Sequence, residues 1–337
     1  MKYCPGRIFG FDLIKTIAIF MIVFYHLDGI DYGIIEPGKY YLPNLNKFIS
    51  GFFASSVPLF LMVNGALIVP QKLHWKQLFL KSVHLLFLLF FWKFVLQYLI
   101  SFRLLSIQET MGHFWFLATL SAIYLISISL DWCEKFRKII LFGLLFFPFA
   151  YNLLLDLLIF FYPSSSLHCL KHTGFFTLYS ILYFYLGYIL RAKKMKPVLM
   201  WGLVISGIFL INFEVMVMSN YYKVIYDGVN SSFRTLGALF LSVGFFMLLK
   251  DVVFKRTLIN TFFSIIGRNT MSIYLFHVLF IFLVRYYIIP NGSLLTPLQS
   301  IIVCLMIVAI SCLFGNLISY SKLSFLLHYT VRKYKNG

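Results

Sequence analysis

Residues 11–26 read FDLIKTIAIFMIVFYH. From Ile17 to Phe24 the run is wholly apolar, and the charged residues Asp12 and Lys15 precede it while His26 closes it. An α-helix needs about 20 predominantly apolar residues to cross the hydrocarbon core of a bilayer. In lipid, only helices and closed barrels satisfy every backbone hydrogen bond. Residues 8–27 therefore predict a transmembrane helix, and the same reading extends along the chain.

Hydrophobic residues make up 61% of the 337 and charged residues 12%, with a mean hydropathy of +0.88. A soluble domain carries roughly 45–50% apolar and about 25% charged residues, so this chain has too few charges to cover a water-facing surface. Its 40 Phe and 22 Tyr suit lipid-facing rings and interfacial belts. The formal charge of +18 is spread between apolar runs rather than gathered on one face. It therefore points to membrane topology and anionic lipid headgroups rather than to nucleic acid. The five cysteines show neither metal-site nor redox spacing, and no metal is expected.

Runs and breaks predict a single all-α membrane domain over residues 1–337. The candidate spans are roughly 8–27, 48–69, 82–101, 114–131, 139–160, 173–190, 198–218, 233–249, 270–289 and 298–319. The gaps test that division. Twenty Lys and Arg fall in alternate gaps, among them Lys72, Lys76 and Lys81, and only six fall in the others, among them Arg234. Cytoplasmic loops carry the excess of basic residues, so about ten helices with both termini cytoplasmic is the consistent topology.

Ionisable groups at bilayer depth are costly and are functional candidates by default. At about 100° and 1.5 Å per residue, His26 lies about 20° past three turns and about 16 Å from Lys15. Asp12, about 21 Å from His26, falls on the same stripe. Asp12 and Lys15, at i and i+3, can pair. His26 is the candidate general base, because a neutral imidazole near pH 7 can take a proton from a hydroxyl and return it.

In residues 55–69, SSVPLFLMVNGALIV, Pro58 predicts a kink, and Asn64-Gly65 predicts an amide and a close backbone approach within the membrane. Lys72, Lys76 and Lys81 suffice for topology and also suit a cytoplasmic anion site, with Trp75 available to stack on a planar ring. His113 and Trp115 suit an interfacial belt. Glu214 and Arg234 flank a short tyrosine-rich outer segment and can pair near sugar contacts. His84 and His277 read as hydrogen-bonded core histidines. No phosphate-cradling loop, nucleophile elbow or dinucleotide fingerprint occurs.

Four motifs go further by resemblance. Arg7-x3-Phe11-Asp12-x2-Lys15-x2-Ala18, closing on His26, resembles the opening signature of the acyltransferase-3 family. Val57-Pro58-Leu59-Phe60 through Asn64-Gly65-Ala66-Leu67 resembles its second-helix motif. His113-Phe114-Trp115-Phe116-Leu117 resembles its fourth, and Gly267-Arg268-Asn269-Thr270 with Ile273-Tyr274-Leu275-Phe276-His277 resembles a late one. Lys15 stands where the family usually carries arginine, and Asn64 where serine is common.

The resemblance implies a bacterial inner-membrane O-acyltransferase of surface polysaccharides and similar glycans. Acetyl-CoA or another acyl-CoA would be its cytoplasmic co-substrate, with no permanently bound cofactor. It further implies a carbohydrate or lipid-linked sugar hydroxyl as acceptor and His26 as the catalytic residue. Asp12 and Lys15 join His26 as catalytic candidates, expected to position the first helix or line the acyl path. The residues alone leave open a transporter or flippase of a lipid-linked saccharide.

Overall fold

The computed structural model describes residues 8–33, 52–71, 73–101, 114–132, 176–222, 235–254, 257–288, 295, 297–321 and 323–327, with isolated positions between 143 and 162. Among them the secondary structure is helical throughout. The α-helices are α1 (Phe9–Gly33), α2 (Ser56–Ile68), α3 (Trp75–Ser101), α4 (Trp115–Trp132), α5 (Phe176–Arg191), α6 (Pro197–Tyr222), α7 (Leu236–Leu249), α8 (Thr257–Arg268), α9 (Thr270–Tyr287) and α10 (Pro297–Tyr320). Single 3-10 turns follow α2 and α10.

Among the described residues, three helical stretches are long and apolar enough to cross a membrane: Phe9–Leu27, Trp75–Tyr98 and Leu298–Tyr320. Leu258–Arg268 and Thr270–Val284 together make a fourth if the pair, bent by 72°, counts as one span. Shorter apolar helices cover Ser56–Gln71, Trp115–Ile128, Pro197–Phe213 and Leu236–Leu249. The chain is therefore a membrane protein, all-helical among the described residues. The candidate span at 139–160 falls largely outside the described residues.

The long helices divide into an interior one and lipid-facing ones. In α1, 56% of the spanning stretch is buried inside the protein, against 22% in α3 and 33% in α10. Along α3 the side chains of Phe79, Val83, Phe87, Phe90 and Phe94 are exposed at steps of three and four residues. Such a stripe would aggregate in water; in hydrocarbon it is the solvated face. α1 instead packs on α2, α7, α8, α9 and α10, and buries Phe11, Ile14, Ala18, Ile19, Val23 and Leu27. It is the hub of the bundle.

Lipid tails give no hydrophobic drive for helices to associate, so close backbone packing and interhelical hydrogen bonds hold them together. The predicted close approach at Gly65 is present: a Cβ there would strike the backbone carbonyl of Phe184 on α5, and one at Gly187 would strike that of Met62 on α2. Between α3 and α4 the hydroxyls of Ser82 and Ser121 lie 2.6 Å apart, both buried. The α7 N-terminus is capped by Thr235, whose side chain accepts from the Ala238 N–H at 3.1 Å.

Several boundaries differ from the sequence reading. Pro58 sits in the first turn of α2 rather than mid-helix. The N–H that proline lacks is one of those a helix start leaves without an intrahelical partner, and the helical path breaks just ahead of it, at Ala54 and Ser55. α3 begins at Trp75, seven residues before the expected start, which puts Lys76 and Lys81 on a helix instead of a loop. A capping box sets that start. The His74 N–H donates to the Gln77 side-chain oxygen at 3.2 Å, and His74 Nδ1 accepts from the Lys76 N–H at 3.4 Å. Finally, residues 257–268, counted as a basic connection, form α8.

Candidate active site

The bend between α8 and α9 has a local cause. Gly267 and Asn269 are weak helix formers, and Asn269 begins a new helix as the N-cap of α9, with φ −94° and ψ 9°. Its backbone N–H still closes the end of α8 on the Ile265 and Ile266 carbonyls, and its side-chain amide donates to Ile265 at 3.0 Å. Gly267 lies at the elbow against α1, where an added Cβ would stand 2.7 Å from the Asp12 Cβ and 2.9 Å from the Asp12 Cα. Only glycine fits.

Asp12 and Lys15 meet at this elbow. Their ion pair has an N–O distance of 3.1 Å, with the Asp12 side chain 3% and the Lys15 side chain 18% exposed. Lys15 Nζ also donates to the Gly267 carbonyl at 2.8 Å, in the last turn of α8, where free carbonyls and the helix dipole favour a cation. Beside it the buried Thr16 hydroxyl reaches the Asp12 carbonyl at 2.8 Å and the Phe263 carbonyl at 3.2 Å.

The other end of α1 carries His26, whose side chain is exposed. Its ring centroid lies 5.3 Å from that of His277 on α9, the planes tilted by 47°, and 5.3 Å from that of Tyr25. His277 is fully buried. Its Nδ1 lies 3.0 Å from the Ile273 carbonyl and 2.8 Å from that of Tyr274. Carbonyls only accept, so Nδ1 carries the proton and Nε2 the lone pair in the neutral ring. Phe60, Phe116 and Tyr274 build the wall behind it: Phe116 lies 6.2 Å from Phe60 and 5.6 Å from Tyr274, and Tyr274 lies 6.1 Å from His277.

The stripe expected along α1 thus holds, since both its ends face the same bent pair of helices. His277, read from sequence as a core histidine, is indeed buried and hydrogen-bonded, but its partner across the helix interface is the candidate base. Its place within the late motif was the available signal. Two other cations counted only toward topology also cap helix ends. The Arg191 guanidinium donates to the Ala66 carbonyl at 2.7 Å, and Lys250 Nζ to the Arg191 and Lys193 carbonyls at 3.1 and 2.7 Å.

The remaining candidates are scattered. Asn64, half-buried on α2, donates its amide to the Phe60 carbonyl of its own helix at 2.9 Å. Lys76 is exposed, its Nζ 5.6 Å from the centre of the Trp75 ring, and Trp75 is 46% exposed. Lys81 is half-buried on α3. Trp115 opens α4, set edge-on to Phe116 at 6.1 Å. Lys72, His113 and Arg234 lie outside the described residues, as does the side chain of Glu214, whose backbone belongs to α6.

No curated protein and no solved structure matches this chain. A family model described as an acyltransferase domain matches residues 8–316, which take in the hub helix, the elbow and both histidines. This membrane protein belongs to the acyltransferase-3 family and is an acyltransferase.

Proposed function

We propose that this chain is a multi-pass O-acyltransferase of the bacterial inner membrane. It moves an acyl group, acetyl in the first instance, from cytoplasmic acyl-CoA to a hydroxyl of a surface glycan or lipid-linked sugar. The observation that carries this reading is His26, exposed on the hub helix and set 5.3 Å from the buried His277. A basic nitrogen with access to a substrate, backed by a ring of fixed tautomer, is what general-base transfer needs.

In this reading the acceptor oxygen attacks the thioester carbonyl carbon while His26 takes the hydroxyl proton. The new C–O bond forms, the C–S bond breaks, and the departing CoA sulfur recovers the proton from the His26 imidazolium. Ester and free thiol are the products. The lone pair on His277 Nε2 favours the transient charge on its neighbour.

The basic excess of alternate gaps supports ten spans with both termini cytoplasmic. That topology puts the Lys15 end of α1 inside and His26 toward the outer face. Lys72, Lys76 and Lys81 would then pair with the CoA phosphates, and Trp75 with the adenine ring. Asn64, His113, Trp115, Glu214 and Arg234 are the candidates for holding the acceptor, with membrane lipids around the bundle. The test is acetyl-CoA hydrolysis or transfer to a glycan acceptor by purified protein, wild type against His26→Ala. Loss of about 10²–10⁴-fold is expected; activity that survives the substitution removes His26 from the mechanism.

A further inference from the structure

We infer that Asp12 and Lys15 are positioning residues: they clamp the elbow at Gly267 and so fix the height at which His277 on α9 faces His26 on α1. This rests on the reading of His26 as the base.

The geometry is that of two rails joined near the bottom. Lys15 to His26 is 11 residues along α1, about 16 Å of helix rise, and His277 lies seven residues, about 10 Å, along α9 from its start at Thr270 beside the elbow. α1 and α9 both run from this joint toward their histidines, so fixing the lower contact fixes the upper one. That lower contact is built for closeness. Lys15 Nζ is 2.8 Å from the Gly267 carbonyl, Asp12 holds Lys15 at 3.1 Å, and the Thr16 hydroxyl reaches Phe263 at 3.2 Å. Gly267 leaves no room for even a methyl group against Asp12. α8 leaves the elbow at 72° to α9, so the clamp at its end is what ties α9 to α1 there. Lys15 is turned into this joint, about three helical turns from His26, and two of the three donors of an ammonium are accounted for by Asp12 and Gly267.

The test uses the full-length protein in lipid nanodiscs, with kcat and KM for acetyl-CoA measured separately. Lys15→Gln should lower kcat by about 10–100-fold, the effect of an ångström-scale misplacement at a reacting centre, and leave KM unmoved. Lys15→Arg, which keeps a cation able to reach Asp12 and the carbonyl, should retain most of the turnover. Gly267→Ala adds one methyl group and changes no charge, yet should reproduce the kcat loss. A raised KM with intact kcat in Lys15→Gln would make Lys15 a donor-binding residue, and wild-type turnover in Gly267→Ala would dispose of the clamp.

A second measurement does not depend on turnover. In a background stripped of native cysteines, His26→Cys with His277→Cys is cross-linked in membranes by a short thiol-reactive linker. The yield should fall when Gly267→Ala or Lys15→Gln is added, and an unchanged yield overturns the inference. A wild type that never consumes acetyl-CoA, alongside a cross-link that does depend on the clamp, would instead refute the enzymatic role of the two histidines.

Discussion

The two ends of α1 carry ionisable side chains on one stripe, yet the bundle treats them in opposite ways. At the Asp12 end the carboxylate is buried and held within 3.1 Å of Lys15, and the lysine reaches on to a helix-end carbonyl. At the His26 end the imidazole is exposed beside the buried His277. A charge engaged this fully serves the fold, because moving it would strand a partner in a low-dielectric interior. A titratable ring that keeps its access is able to exchange protons. The same stripe thus divides into a buried joint and an exposed end, the proposed reaction centre.

The sharpest way to break that contrast is to remove one residue at each end. His26→Ala should abolish nearly all transfer while leaving the unfolding midpoint in detergent where it was, since the side chain lost is an exposed one. Asp12→Ala should do the reverse first. Removing one partner of a buried pair costs about 3–5 kcal/mol, read as a lower unfolding midpoint and reduced yield of folded protein. If Asp12→Ala were as stable as wild type, the Asp12 end of α1 would not be a joint.

Smaller changes sharpen the picture away from α1. Gly65→Ala forces α2 and α5 apart at the Phe184 carbonyl and should destabilise by about 1–3 kcal/mol, as overpacking does, with kcat less affected than stability. Lys76→Ala removes an exposed charge and should raise KM for acyl-CoA only about two- to fivefold, with kcat unchanged; no change at all would point the donor elsewhere. Ser121→Ala deletes the hydroxyl pair between α3 and α4, and a loss of about 0.6 kcal/mol is expected from interhelical hydrogen bonds of this kind.

Much of the fold was legible because lipid imposes a simple rule on the chain. Apolar stretches near 20 residues long announce helices. Where the reading erred, local hydrogen bonding decided. Pro58 stands in the first turn of α2 rather than mid-span because the helical path breaks at Ala54 and Ser55, and α3 starts early because His74 and Gln77 form a capping box. The amphipathic α8 was hidden because its segment is short and ends in Gly267-Arg268-Asn269, which reads as a break.

The candidate site was half legible. Asp12, Lys15 and His26 share one helix, so period alone relates them. His277 lies 251 positions beyond His26, and no local pattern reports a contact across that separation. Its surroundings in sequence are apolar, which made a core histidine the natural reading. Similarly, Arg191 and Lys250 looked like topology charges until the carbonyls of Ala66, Arg191 and Lys193 appeared beside them.

By itself, then, the sequence determined a membrane-embedded helical chain, the stripe on its first helix and the family its motifs resemble, because hydropathy and helical period are properties of neighbouring residues. The tertiary structure alone decided that α1 is the hub, that the Lys15 ammonium reaches the Gly267 carbonyl as well as its neighbour Asp12, and that His26 faces His277. Those are contacts between segments some 250 residues apart, fixed by where glycine lets backbones touch and where a broken helix turns.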